Sequence, residues 1–201
     1  MVEADRQTAL SGQIEPGKLG APSDESSGLR LSERHPRAIA QLNGAPDEAA
    51  LAQRLAAAGL VVSLSPNRAA EGKDWNALWN GPGQWLVVSD TLEPVTLIDQ
   101  LEAALADSDA TVTDLSHARS VSRIEGADVR EMLAKLCPLD IEAMPAGDCA
   151  TSLFGQLTAL THCVDDKCFD LYVFRSFGLE MWEALIDEAL EFGVHVSDSV
   201  T

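Results

Sequence analysis

Apolar residues recur along this chain in two rhythms, and each change of rhythm marks an element. Leu51 and Leu55 stand one helical turn apart behind Pro46-Asp47-Glu48, with Gly59 beyond them, which predicts a short helix. Leu97, Ile98, Leu101 and Leu105 behind Pro94 predict a second. Val129, Met132, Leu133 and Leu136 fall at i, i+3, i+4 and i+7 after Gly126-Ala127-Asp128 and before Pro138, predicting a third. Trp182, Leu185, Ile186 and Ala189 stripe a fourth, with Ser176 placed as its N-cap.

Strands are predicted at 60–64, 111–115 and 120–125. Leu78-Trp79-Asn80 is a strand running into the turn Gly81-Pro82-Gly83, and 84–89 is an unbroken apolar run that needs cover on both faces. Residues 156–164 and 169–174 predict a hairpin joined through Asp165-Asp166-Lys167. Strand–helix–strand units alternating with hairpins define an α+β fold, with antiparallel sheets and helices packed on one side. Residues 31–201 form one globular domain, either undivided or in two lobes of about 31–110 and 111–201. Residues 1–30 lack periodicity and carry the run SGQIEPGKLGAPSDESSG, so they are expected to be a flexible acidic arm.

Composition narrows the partners. Fourteen Lys and Arg against 32 Asp and Glu leave a formal net charge of −18, a field that repels nucleic acid and anionic membrane surfaces. Apolar runs such as Trp85-Leu86-Val87-Val88 are far too short to cross a bilayer. The opening MVEADRQTAL has no basic region followed by an apolar one, so a cytoplasmic location is expected. The four cysteines, at 137, 149, 163 and 168, are then expected to be free buried thiols. On the last helix Glu180, Glu183, Asp187 and Glu191 share one side, which is expected to be a solvated face or, failing that, a surface that steers a partner.

Candidate chemistry concentrates in Thr113-Asp114-Leu115-Ser116-His117-Ala118-Arg119-Ser120. Asp, Ser and His are the members of a hydrolytic triad, but a triad converges from distant parts of a chain, with His between nucleophile and acid. On an extended strand Asp114 and Ser116 face one side and His117 the other, and no Gly-x-Ser-x-Gly elbow surrounds Ser116. The expected role is backbone hydrogen bonding at a strand corner. Cys137 ends a helical stripe, where the helix dipole disfavours a thiolate. His162 and Cys163, with Cys168 nearby, form the most metal-like group, yet the two neighbours point to opposite faces and no second ligand pair exists. Gly81-Pro82-Gly83 has neither the length nor the following helix of a phosphate-binding loop. No catalytic, cofactor-binding or metal-binding residue is therefore assigned.

Three stretches, taken in order, carry a resemblance: WNGPGQWLVVSD, VTDLSHARSVSRIEGADVREMLAKLCPLDI and FDLYVFRSFGLEMWEALIDEALEFGV. They resemble the gamma subunit of bacterial heterotetrameric sarcosine oxidase. The resemblance implies a fold similar to the folate-binding domains of aminomethyltransferases, and a non-catalytic accessory chain assembling with alpha, beta and delta subunits. The complex oxidatively demethylates sarcosine to glycine. FAD, FMN, NAD, tetrahydrofolate and zinc are implied for the other subunits and none for this chain. Trp85 and Trp182 then read as core anchors. Arg119 and Arg123 share one strand face and either bind Asp114 internally or reach a carboxylate on a neighbouring subunit. Arg175, beside Ser176, offers the same choice. Rival readings are the equivalent subunit of an N-methylglutamate dehydrogenase, and a stand-alone folate-binding one-carbon protein with Asp114 holding the pterin.

Overall fold

The computed structural model describes residues 7–20, 28–44 and 47–200. Among them two sheets lie face to face, each backed by two helices on its outer side. The larger sheet contains β1 (Gly17–Leu19), β2 (Leu29–Arg34), β8 (Arg119–Glu125), β9 (Cys149–Phe154), β10 (Leu157–Asp165), β11 (Cys168–Phe174) and β12 (Val194–Val196), in the order β1-β12-β2-β8-β11-β10-β9. The smaller contains β3 (Ala38–Asn43), β4 (Ala69–Glu71), β5 (Asn76–Gly81), β6 (Gln84–Ser89) and β7 (Thr111–Asp114), in the order β4-β5-β6-β3-β7.

Period-2 alternation decides which side chains fill which layer. On β11, Phe169, Leu171 and Val173 face outward to α3 (Val129–Leu136) and α4 (Gly178–Ala189), packing with Met132, Leu133, Trp182 and Leu185. Tyr172 faces inward, where it meets Val121, Leu160, Ile39, Leu86 and Val88 in a cluster drawn from both sheets. On the far side, α1 (Glu48–Ala57) and α2 (Pro94–Ala104) lay Leu51, Leu55, Leu97 and Leu101 over Ala40, Leu42, Trp85 and Val87. The apolar run 84–89 is covered on both faces, as its composition requires, with Trp85 and Val87 outward and Leu86 and Val88 inward. Trp85 and Trp182 are both buried anchors, and Trp85 Nε1 donates to the Ser63 carbonyl at 2.8 Å.

Several local expectations need correction. Residues 60–64 are extended but unpaired, because β4 takes the edge of the smaller sheet and the 60–64 backbone is held instead by the Trp85 indole. Ser176 does not cap the last helix. It lies inside a 3-10 turn, Arg175–Phe177, and Phe177 holds the cap position without a side-chain bond. The larger sheet is not purely antiparallel: β12 pairs in parallel with β2, Val194 opposite Leu29, since helix α4 carries the chain across from β11. β2 belongs to the larger sheet and β3 to β7 to the smaller, so the chain crosses between β2 and β3 and again at the corner between β7 and β8.

Residues 7–20 are not a free arm. Leu10 is fully buried in the outer core of the larger sheet, and Gly17–Leu19 pairs with Val194–Val196. Of the rest of the predicted arm, 1–6 and 21–27 lie outside the described residues, as does Pro46, while Leu29 and Arg30 open β2. Asp47 caps α1, its carboxylate accepting from the Ala50 N–H at 3.0 Å.

Candidate functional site

The seam between the sheets holds the most concentrated polar chemistry. Arg123 on β8 stands opposite Asp170 on β11, and its Nε and Nη2 donate to the two carboxylate oxygens at 2.7 and 2.9 Å. Arg34 at the end of β2 approaches the same carboxylate at 3.5 Å, donates to the Tyr172 hydroxyl at 3.1 Å and reaches Asp90 at 2.5 Å. Asp170 is thus shared by two guanidinium groups. Hydrogen bonding to Asp170 holds Arg123 above the usual arginine range. Burial alone would lower Arg34, but Tyr172, Asp170 and Asp90 outweigh it and the net shift is upward. Burial raises the Tyr172 phenol. Every charge in this group has an internal partner; most of the group clamps neighbouring strands of the larger sheet, and Arg34, reaching Asp90 just past β6, ties it to the smaller sheet. The pairing joins positions far apart in the chain, and only the strand register reveals it.

His162 on β10 stands opposite Asp170 and faces the same seam, while Cys163 packs outward beneath α3. The predicted opposition of these neighbours holds, and no three His, Cys, Asp or Glu among the described residues are placed to hold a metal. Burial lowers the His162 imidazole, and its Nε2 has no hydrogen-bond partner. The four cysteines are free and buried. Burial pushes the Cys149 and Cys168 thiols up to about 12, and raises Cys137 and Cys163 as well, so none is set up as a nucleophile.

The Asp-Ser-His corner is structural in its bonding. Asp114 Oδ1 accepts the Ser116 N–H at 2.8 Å, closing a local turn. Ser116 is buried and its Oγ accepts the Ile39 N–H at 3.0 Å, which ties the corner to β3; His117 is exposed. Gly81-Pro82-Gly83 is the turn of the β5–β6 hairpin, and the Gly83 carbonyl accepts the Gly44 N–H at 2.6 Å. A pterin needs a carboxylate in a concave apolar pocket. Asp114 is exposed and its Oδ1 accepts the Ser116 N–H, so Asp114 does not stand in such a pocket.

The three arginines singled out in the sequence separate. Arg123 is bound internally, to Asp170 rather than Asp114. Arg175 donates to the carbonyls of Gln7 and Thr8 at 2.9 and 3.0 Å. Among the described residues Arg119 meets no carboxylate, and it lies over the Phe174 ring, 4.1 Å from its centroid. The acidic stripe of α4 is exposed, but Glu191 just beyond it pairs with Lys135 of α3.

Two helix-backed sheets meeting across a braced seam define an α+β domain of the aminomethyltransferase type. The glycine cleavage system aminomethyltransferase T from Bartonella henselae superposes with a TM-score of 0.62 at 11% identity, over 87% of this chain and 48% of that one. Heterotetrameric sarcosine oxidase from Corynebacterium sp. U-96, in complex with pyrrole 2-carboxylate, contains a chain that matches with a TM-score of 0.80 at 23% identity. That match covers 93% of this chain and 96% of the other. The sequence model of the sarcosine oxidase gamma subunit family matches residues 43–191, and the chain belongs to that family. The sarcosine oxidase subunit gamma of Corynebacterium sp. (strain U-96) is 30% identical over 117 residues, 57% of this chain. The match spans 56% of the length of that curated relative. No helix among the described residues is long and apolar enough to cross a membrane.

Proposed function

We propose that this chain is a non-catalytic gamma subunit of a cytoplasmic sarcosine oxidase complex, and that it acts by docking on the larger alpha chain. Alpha, beta and delta chains would carry the flavins, NAD, folate and zinc, and with them the demethylation of sarcosine. Family membership supports the assignment to such a complex. The observation that carries the non-catalytic part is bonding at the Asp114-Ser116-His117 corner. The one buried hydroxyl there is spent on the Ile39 backbone, and the carboxylate on the Ser116 backbone. An accessory subunit needs a packed interior and a mating surface, and the braced seam supplies the first.

Affinity purification through a tag on this chain tests the reading. Large flavin-bearing chains are expected to copurify, and their removal is expected to leave a chain that neither consumes sarcosine nor binds tetrahydrofolate. Turnover of sarcosine by the isolated chain, or saturable micromolar folate binding to it, would overturn the proposal. An N-methylglutamate dehydrogenase would be recognised by the substrate preference of the purified complex.

A further inference from the structure

Arg34, Arg37, Arg68, Arg123, Arg130 and Lys135 each meet an Asp or Glu of this chain. Arg119 does not. It is half-buried, its Nε is buried without a hydrogen-bond partner, and its guanidinium lies on Phe174, the residue opposite it in the β8–β11 ladder. Two carboxylates of the surrounding elements are engaged elsewhere. Glu33, which lines the same cleft, accepts from Ser199 Oγ at 3.3 Å, and Asp114 accepts the Ser116 N–H. The cleft, about 10 Å³, has room for little more than one water between Arg119, Ser120 and Arg175. Burial lowers Arg119 from the usual arginine range, and no neighbouring charge offsets it.

The surroundings are apolar where surfaces are ordinarily polar. Phe174, Phe177 and Leu179 are 51%, 41% and 40% exposed, three large hydrophobic side chains within six residues. A partly desolvated cation framed by exposed aromatic surface matches the composition of an interface core, in which Arg and Phe are enriched. Within a chain of net charge −18, an unanswered arginine at such a spot also sets where an incoming carboxylate can land.

We propose that the Arg119–Phe174 stack, flanked by Phe177 and Leu179, is the docking surface for a carboxylate-bearing, otherwise apolar loop of the larger partner subunit. This rests on the reading of the chain as an accessory subunit. Arg175 is a positioning residue here: it fixes the backbone of Gln7 and Thr8 along one wall of the cleft.

Zero-length cross-linking tests it directly. The Arg119→Lys variant is assembled with its partner subunits, treated with a water-soluble carbodiimide and digested for mass spectrometry. An amide between position 119 and an Asp or Glu of a larger subunit is expected. A link only to a carboxylate of this chain, or no link in an assembled complex, overturns the inference. In parallel, Arg119→Met keeps the apolar stem and removes the charge. Affinity for the partner is expected to fall about 30-fold, as for loss of one member of a buried pair. The melting temperature of the isolated variant is expected to stay close to the wild type, because no ion pair among the described residues is lost and the Met side chain keeps apolar contact with Phe174. Assembly unchanged within threefold, or a lowered melting temperature at unchanged affinity, overturns the inference. A wild-type chain that binds no flavin subunit at all would remove the functional reading itself, and this surface with it.

Discussion

Arg34, Arg123, Asp170, Tyr172 and His162 converge from four strands, and each is answerable in physical terms only through its neighbours. Breaking such a group by removing one partner typically costs about 3–5 kcal/mol, far more than an exposed pair. His162 adds a pH dependence. Asp170 and Glu71 favour its cation while burial, Arg34 and Arg123 oppose it, and burial dominates, so its folded pKa lies below the ordinary value. An unfolded histidine titrates near about 6.5. Above that pH both states are neutral and the full native stability is present. As pH falls below it, the unfolded chain takes up a proton that the native chain refuses, and stability drops by up to about 1.4 kcal/mol per pH unit. Urea titrations between pH 7.5 and 5 should show this extra slope in the wild type and not in His162→Leu. Parallel curves would refute it. The Asp114–Ser116 turn could be read from the sequence because its two partners lie two positions apart, whereas the Ser116 bond to Ile39, 77 positions away, could not. The Arg34–Asp170 contact could not, since it spans 136 positions and depends on β2 and β11 sharing β8 as a common neighbour.

At the scale of elements, α2, α3 and the β5–β6 hairpin were legible because a 3.6-residue stripe or a Gly-Pro-Gly turn stands between clear stop signals. Strands β1, β4 and β12 have three residues each, too few for period-2 alternation to register. Ser176 failed as a cap because a 3-10 turn intervenes, a choice made by tertiary contact. A Cβ at Gly178 would sit 2.8 Å from Ser120 Oγ and 2.9 Å from Ala9 Cβ, so α4 starts where it can press against β8 and the N-terminal segment. Gly126, at the β8–α3 turn, is under a stricter demand. Its φ is +143°, and a Cβ there would stand 2.5 Å from the Gly28 carbonyl oxygen, a backbone atom. Gly126→Ala should therefore cost about 3 kcal/mol through overpacking and backbone strain. Chemical denaturation of the purified variant checks this, and a loss under 0.5 kcal/mol on the same order-of-magnitude scale would show that the turn relaxes freely.

The whole molecule is closed by its two ends. β12 enters the larger sheet between β1 and β2, so the last strand of the fold is held by the first two. Low hydrophobicity hid this, because a segment that pairs through its backbone and buries a single leucine needs little apolar content of its own. Leu10 fills the core beside α4, Gly17–Leu19 covers the edge of β12, and the Gln7 and Thr8 carbonyls receive Arg175. Removing residues 1–20 should therefore act as a core mutation and not as the trimming of a tail. Loss of the Leu10 side chain alone amounts to about 2–5 kcal/mol by comparison with other buried leucines. The uncovered β12 edge and the freed Arg175 add to it. For a domain of this size each kcal/mol lowers the melting temperature by about 2–4 °C, which sets the expected drop at about 4–20 °C. Calorimetry on the truncated and full-length chains gives the comparison. An unchanged melting temperature would mean that the contacts of Leu10 and β1 contribute nothing to the native state, and the segment would then be the dispensable tail its composition suggests. The same deletion strips one wall from the cleft beside Arg119. A truncated chain that stays folded but loses affinity for its partner would therefore tie this N-terminal segment to the mating surface as well as to the core.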